Sequence, residues 1–158
     1  MLLKLYTIAQ NSVTIGSLQH LFPIIFALGF TILLIKYSRR NFTDIQKQKT
    51  LHYFAWFVSI TVMSFHAYRM AFDSYNFKTD LPLYLCSLMA VVMPLFTYYR
   101  KYWMFEVLVF LVIGGTLQAV ITPDITTGFP SFDYFRYWIA HLGLLIIIFY
   151  FIFKTYTP

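Results

Sequence analysis

Apolar and polar positions fall along this chain in long blocks, not in the two-residue rhythm of a strand. Five blocks, residues 18–37, 51–68, 81–99, 103–121 and 134–153, are almost wholly apolar, and short polar connectors separate them. Each block is close to the roughly 20 residues an α-helix needs to cross a bilayer. The pattern predicts an all-α fold, a polytopic transmembrane bundle of about five spanning helices. Residues 1–158 then form a single integral membrane domain, because the connectors are too short to hold a second one. There is no internal repeat and no low-complexity segment. Helices four and five are joined by Thr122-Pro-Asp-Ile-Thr-Thr-Gly-Phe-Pro-Ser131, rich in turn residues.

Within the blocks, small and polar residues recur at helical spacing. Gly16, His20, Pro23, Ala27 and Thr31 make a narrow stripe on helix one, and Pro82, Cys86, Ala90 and Thr97 make another on helix three. Gly115, Gln118 and Thr122 are expected to share a face of helix four. Such stripes let backbones approach and face the bundle interior. Pro23 and Pro94, inside helices, each free a carbonyl and predict a kink. At the start of helix three, Asp80 is placed to cap the first turn, with Pro82 where a missing N–H costs nothing.

Charge then orients the bundle. Lys36, Arg39, Arg40, Lys47 and Lys49 follow helix one, Arg100 and Lys101 follow helix three, and Lys154 follows helix five. The other side holds only Lys4, Arg69, Lys78 and Arg136. The positive-inside rule puts the first set in the cytoplasm, the N-terminus outside and the C-terminus inside. Each polar residue thereby acquires a depth. At 1.5 Å per residue, Cys86 lies about 8 Å below the outer start of helix three and His141 roughly 10 Å into helix five. His20, His66, Gln118 and Thr122 also fall in the outer half, so an outward-facing polar pocket is expected, lined by His20, Gln118, Thr122, Tyr84 and His66.

Composition supports the membrane reading. Hydrophobic residues make up 59% of the chain and charged residues 11%, against roughly 45–50% and 25% in soluble domains. The 18 Phe and 13 Tyr suit a protein with two water–lipid interfaces. The net charge of +6 comes without a basic cluster on a polar fold, so nucleic acid is not an expected partner. Membrane lipids are, with a lipid or small-molecule ligand in the pocket, and the expected location is the cell membrane, crossed several times. One cysteine allows no internal disulfide. Met1-Leu-Leu-Lys-Leu-Tyr6 lacks a signal-peptide pattern, so insertion is expected to rely on the first helix.

The chemistry-bearing residues are few. Cys86 is open to two readings: a nucleophile, where a base or a positive dipole assists the thiolate, or a small apolar filler. His141 lies within a span, where an ionisable side chain is a functional-site hypothesis by default, or where it bonds a neighbouring helix. His20, on its small-residue stripe, carries the same pair of readings. His66, nearer the interface, and His52, beside the basic loop, fit wet structural roles. No pair among His20, His66, His141 and Cys86 has close ligand spacing, so neither a metal nor another cofactor is expected. Asp124 and Asp133 read as turn residues and Arg136 as a snorkelling side chain.

Gly16-Ser-Leu-Gln-His20, Leu81-Pro-Leu-Tyr-Leu-Cys-Ser87, Gly114-Gly-Thr-Leu-Gln-Ala-Val-Ile-Thr-Pro-Asp124, Phe129-Pro-Ser131 and Ala140-His141 occur together in this chain. In combination they resemble the YwaF-type family of bacterial integral membrane proteins, over most of the chain from Gly16 onward. That family is similar to a eukaryotic transmembrane acyltransferase that remodels ether phospholipids through a cysteine. The resemblance implies a membrane-embedded pocket for lipid acyl transfer, with Cys86 as nucleophile and His141 as general base. Gln118 or His20 would orient the polar head or stabilise an oxyanion. Tyr84 stands where relatives often carry histidine. The family usually continues with further helices, so a bundle shortened after helix five is the expectation. The alternative is a non-enzymatic protein that binds or transports a small molecule or proton through His20, Gln118 and His141.

Overall fold

The computed structural model describes residues 12–72, 84–125 and 127–155. Among them the chain forms helices and turns and no strand. The order is α1 (Leu18–Asn41), α2 (Asp44–Phe72), α3 (Leu85–Tyr99), α4 (Tyr102–Leu111), a π-helical turn (Val112–Thr116), α5 (Leu117–Ile121) and α6 (Phe132–Thr155). Segments α4, the π turn and α5 follow one another directly, so the described residues form five rods.

Local chemistry sets most of the boundaries. Ser17 caps α1, its hydroxyl accepting the His20 N–H at 3.3 Å. Thr43 and Gln46 form a capping box at α2: Gln46 Oε1 accepts the Thr43 N–H at 2.8 Å, and the Gln46 N–H reaches Thr43 Oγ1 at 3.4 Å. At α6, Ser131 Oγ accepts the Tyr134 N–H at 3.1 Å. Pro23 leaves the Gln19 carbonyl without its helical donor, and the Tyr134 hydroxyl takes it up at 2.7 Å.

Within the described residues helix three runs from Leu85, with Tyr84 (φ −58, ψ 135) as its N-cap residue. Asp80 and Pro82 lie outside the described residues. Cys86 is therefore in the first turn, among the helix's free N–H donors, and not in the second. Helix four is not one regular helix. The Gly114-Gly115 pair sits in a π turn, and the residue it inserts rotates the rest of the rod by about 100°. Gly115 consequently faces α3, whereas Gln118 and Thr122 do not share its face and are exposed.

The core is built on α6. Leu144, Ile147 and Ile148 are fully buried with Val58 and Val62 of α2, Met93 of α3 and Val112 of the π turn. Close approach of α2 depends on Gly143, where a Cβ would stand 2.6 Å from Val58 Cγ2. Outside this core the surface is apolar: Phe22, Ile25, Phe26, Leu33, Phe57 and Phe110 are all exposed, as lipid-facing positions are. By length and composition, Leu18–Asn41, Tyr102–Ile121 and Phe132–Phe153 are able to cross a membrane, and Leu85–Tyr99 is a shorter apolar helix.

The bundle separates its charges by end. Arg100 bonds Gln48, His52 Nδ1 lies 2.9 Å from Thr97 Oγ1, Ser38 bonds Tyr150, and Arg39 stands 5.7 Å from the Phe153 ring. These contacts gather Lys36, Arg39, Arg40, Lys47, Lys49, Arg100 and Lys101 at one end. Arg69 ends α2 at the other end. Arg136 is there too, paired with Asp133 at 2.6 Å and lying 4.4 Å over the Phe65 ring, so it is tied down more firmly than a snorkelling side chain.

Candidate functional site

Helices α3 and α6 pack against one another and border one cavity, lined by Met93 and Thr97 of α3 and by Ile148 and Phe151 of α6. Two helical turns back from Met93 is Cys86, and two turns back from Ile148 is His141. Two turns amount to about 11 Å of rise, so each of these residues lies about 11 Å along its own helix from the shared cavity.

Around Cys86 the neighbours come from the π turn. The Thr116 hydroxyl, itself buried, donates toward Cys86 Sγ at 3.8 Å. A Cβ on Gly115 would stand 3.2 Å from Leu85 Cδ2 and 3.8 Å from Cys86 Sγ, so glycine makes room for this first turn. The positive end of the α3 dipole acts there most strongly.

His141 has a relative exposure of 8%, and its Nδ1 is buried without a hydrogen-bond partner. Its ring centroid is 4.2 Å from that of Tyr137, one turn earlier on α6. The Tyr137 hydroxyl donates to the Ala119 carbonyl at 2.8 Å, satisfying an orphan acceptor at the end of α5. Tyr137 thus fixes one side of the His141 ring. No hydrogen bond joins Cys86 to His141 or to His20 among the described residues.

His20 is equally buried but fully engaged. Its Nδ1 accepts the Gly16 N–H at 2.9 Å, which leaves Nε2 as the donor to the Val120 carbonyl at 2.8 Å. It closes the end of α5 onto the start of α1, with Trp138 tilted against it at 5.8 Å.

The other candidate residues are dispersed. Gln118 Nε2 donates to Thr122 Oγ1 at 3.0 Å, and that hydroxyl returns to the Gln118 carbonyl at 2.9 Å, both on the exposed side. Tyr84 is 73% exposed. His66 is half-buried, edge-on to Phe65 at 5.7 Å. Sequence reasoning missed Thr116 and Tyr137. Their signals were the Gly114-Gly115 pair just before Thr116 and the Tyr137–His141 spacing of one helical turn. Among the described residues no three His, Cys, Asp or Glu side chains converge as metal ligands do.

Two apolar grooves flank α1. One, of about 540 Å³, runs between α1, α5 and α6 past His20, Ala27, Val120, Leu142, Ile146 and Phe149. The other, of about 320 Å³, lies between α1, α2 and α6 and includes Phe30, Phe54, Trp138 and Gly143. Both are of the size and character of small-molecule sites, and both open sideways where lipid would lie.

An apolar exterior, long apolar helices and a buried polar layer define an all-α membrane protein. Its sequence places it more closely. The chain belongs to the TMEM164 family, which matches it over residues 15–158. No curated protein and no solved structure matches the chain.

Proposed function

We propose that this chain is a membrane-embedded lipid acyltransferase that passes an acyl group through Cys86, with His141 moving the proton. The observation that carries the reading is a buried imidazole with an unpartnered Nδ1 on α6, a helix that packs against the α3 helix carrying the sole cysteine. An unsatisfied polar atom in such a place is costly, and function is a reason to keep it. The likeness to YwaF-type proteins and their acyltransferase relative at Leu81–Ser87 and Ala140-His141 supports the same chemistry.

In the first step Cys86 sulfur attacks the carbonyl of a phospholipid acyl ester. The thiol proton passes to His141 and from there to the departing lysolipid oxygen, as the C–S bond forms and the C–O bond breaks. In the second step an acceptor lipid hydroxyl attacks the thioester and gives its proton to His141. The sulfur leaves and recovers that proton. The Thr116 hydroxyl is a donor that strengthens as sulfur gains charge. Hydrogen bonds of this kind often close only with substrate bound. Gln118, exposed on α5, stands where a headgroup would meet water. The multi-pass bundle sits in the cell membrane with its N-terminus outside, its basic end cytoplasmic and this layer in the outer half.

The test is transfer of labelled acyl chains from phospholipid to lysophospholipid by purified protein in nanodiscs. Cys86→Ser and His141→Ala are each expected to lower the rate by roughly 100-fold or more. Full transfer by Cys86→Ala would end the covalent mechanism. The Thr116–Cys86 contact, in place of an imidazole on sulfur, favours a second reading, a non-enzymatic lipid or small-molecule binding protein. That reading expects lipid-dependent thermal stabilisation that survives Cys86→Ala and disappears in His141→Ala, with no transfer by the unmodified protein.

A further inference from the structure

At the other end of the bundle, two turns beyond the Cys86 level, α3, α4 and α6 enclose a cavity of about 220 Å³. Met93, Leu108, Ile147 and Ile148 are buried against it, and Arg100 and Lys101 stand at its rim. These two cations are the entire turn from α3 to α4. The amino end of α4 opens at the same rim and adds its positive dipole.

Arg100 occupies the left-handed region (φ 51, ψ 32) as the capping residue of α3, its N–H bonded to the Phe96 carbonyl at 3.1 Å. Glycine is the default at such a position, so keeping an arginine there sacrifices backbone ease for a side chain. That side chain donates to the Thr97 carbonyl at 3.2 Å and to Gln48, which uses two of its five N–H donors and leaves others for a ligand. No carboxylate among the described residues pairs with Arg100 or Lys101. Lys36, Arg39, Arg40 and Lys49 share this end and add to its positive field, while Lys47 is paired with Asp44 at 3.2 Å.

We propose that this cavity is a binding site for an acidic phospholipid, with the phosphate held at Arg100 and Lys101 and the start of one acyl chain between α3, α4 and α6. An apolar cavity under a cationic rim matches an anionic amphiphile, and basic pockets between spanning helices are where acidic headgroups bind. The site is separate from Cys86 and His141, so it stands or falls independently of acyl transfer.

The test uses the full chain in nanodiscs of phosphatidylcholine, titrated with phosphatidylglycerol and read by native mass spectrometry and thermal shift. The expected result is retention of phosphatidylglycerol over added phosphatidylcholine. Arg100→Gly with Lys101→Gln keeps the turn's backbone conformation and is expected to weaken that retention roughly tenfold to thirtyfold. Met104→Trp, which fills the cavity without altering charge, is expected to weaken it as well. Unchanged retention in the double variant overturns the proposal. Unchanged retention in Met104→Trp leaves only surface electrostatics and also overturns it. Equal competition by glycerol phosphate would assign the cations to a soluble phosphate and overturn the lipid assignment.

Discussion

His20 and His141 are buried to nearly the same degree, with relative exposures of 5% and 8%, and both sit in apolar helices. Their bonding is opposite. His20 has each ring nitrogen occupied, one by the Gly16 N–H and one by the Val120 carbonyl, so it is part of the scaffold. His141 presents a buried Nδ1 with no partner, its ring packed on Tyr137. Burial and residue type do not separate these two histidines. The bonding of each polar atom does.

The contrast breaks most readily on activity. His141→Ala should cost roughly 100-fold or more in acyl transfer, whereas His20→Ala, measured per folded molecule, should stay within a fewfold of normal. Equal losses in the two variants would erase the distinction. Gly143→Ala tests whether the packing of α6 holds His141 in place. Its Cβ would meet Val58 Cγ2 at 2.6 Å, so a loss of about 1–3 kcal/mol should appear in thermal melts, with transfer falling alongside.

Stability should then separate the histidines in the opposite sense to activity. His20→Leu strips the Val120 carbonyl of its donor and should cost about 1–3 kcal/mol. His141→Leu removes an unsatisfied buried nitrogen and should be neutral or stabilising by about 1 kcal/mol while abolishing transfer. The smallest effect concerns the same helix start as His20. Tyr134→Phe should cost about 1 kcal/mol by releasing the Gln19 carbonyl. In a Pro23→Ala background that cost should shrink, because residue 23 regains an N–H for the same carbonyl. Additive losses in the double-mutant cycle would mean that Tyr134 does something else.

The helical bundle was legible from the length and spacing of apolar blocks, and the separation of charge by end followed from Lys36 to Lys49 and from Arg100 and Lys101. The face of each helix was legible only where the helix is regular. At Gly114-Gly115 the π turn rotates the remainder of its rod, so a periodicity carried across it puts Gln118 and Thr122 on the wrong face. Asp80 and Pro82 pointed to an earlier start for α3 and lie outside the described residues, within which Tyr84 is the N-cap and Cys86 falls in the first turn. The partners of each histidine were not legible, because carbonyls at a helix end, such as Ala119 and Val120, are chosen by tertiary packing and leave no mark in sequence.

The central claim is that an acyl group resides on Cys86 during turnover. Intact and peptide-level mass spectrometry of protein incubated with an acyl-donor phospholipid, without acceptor, addresses it most directly. The expected result is one acyl adduct on Cys86, removed by neutral hydroxylamine as a thioester and absent from His141→Ala. Acyl transfer proceeding with no adduct on Cys86, or at full rate in Cys86→Ala, would contradict it.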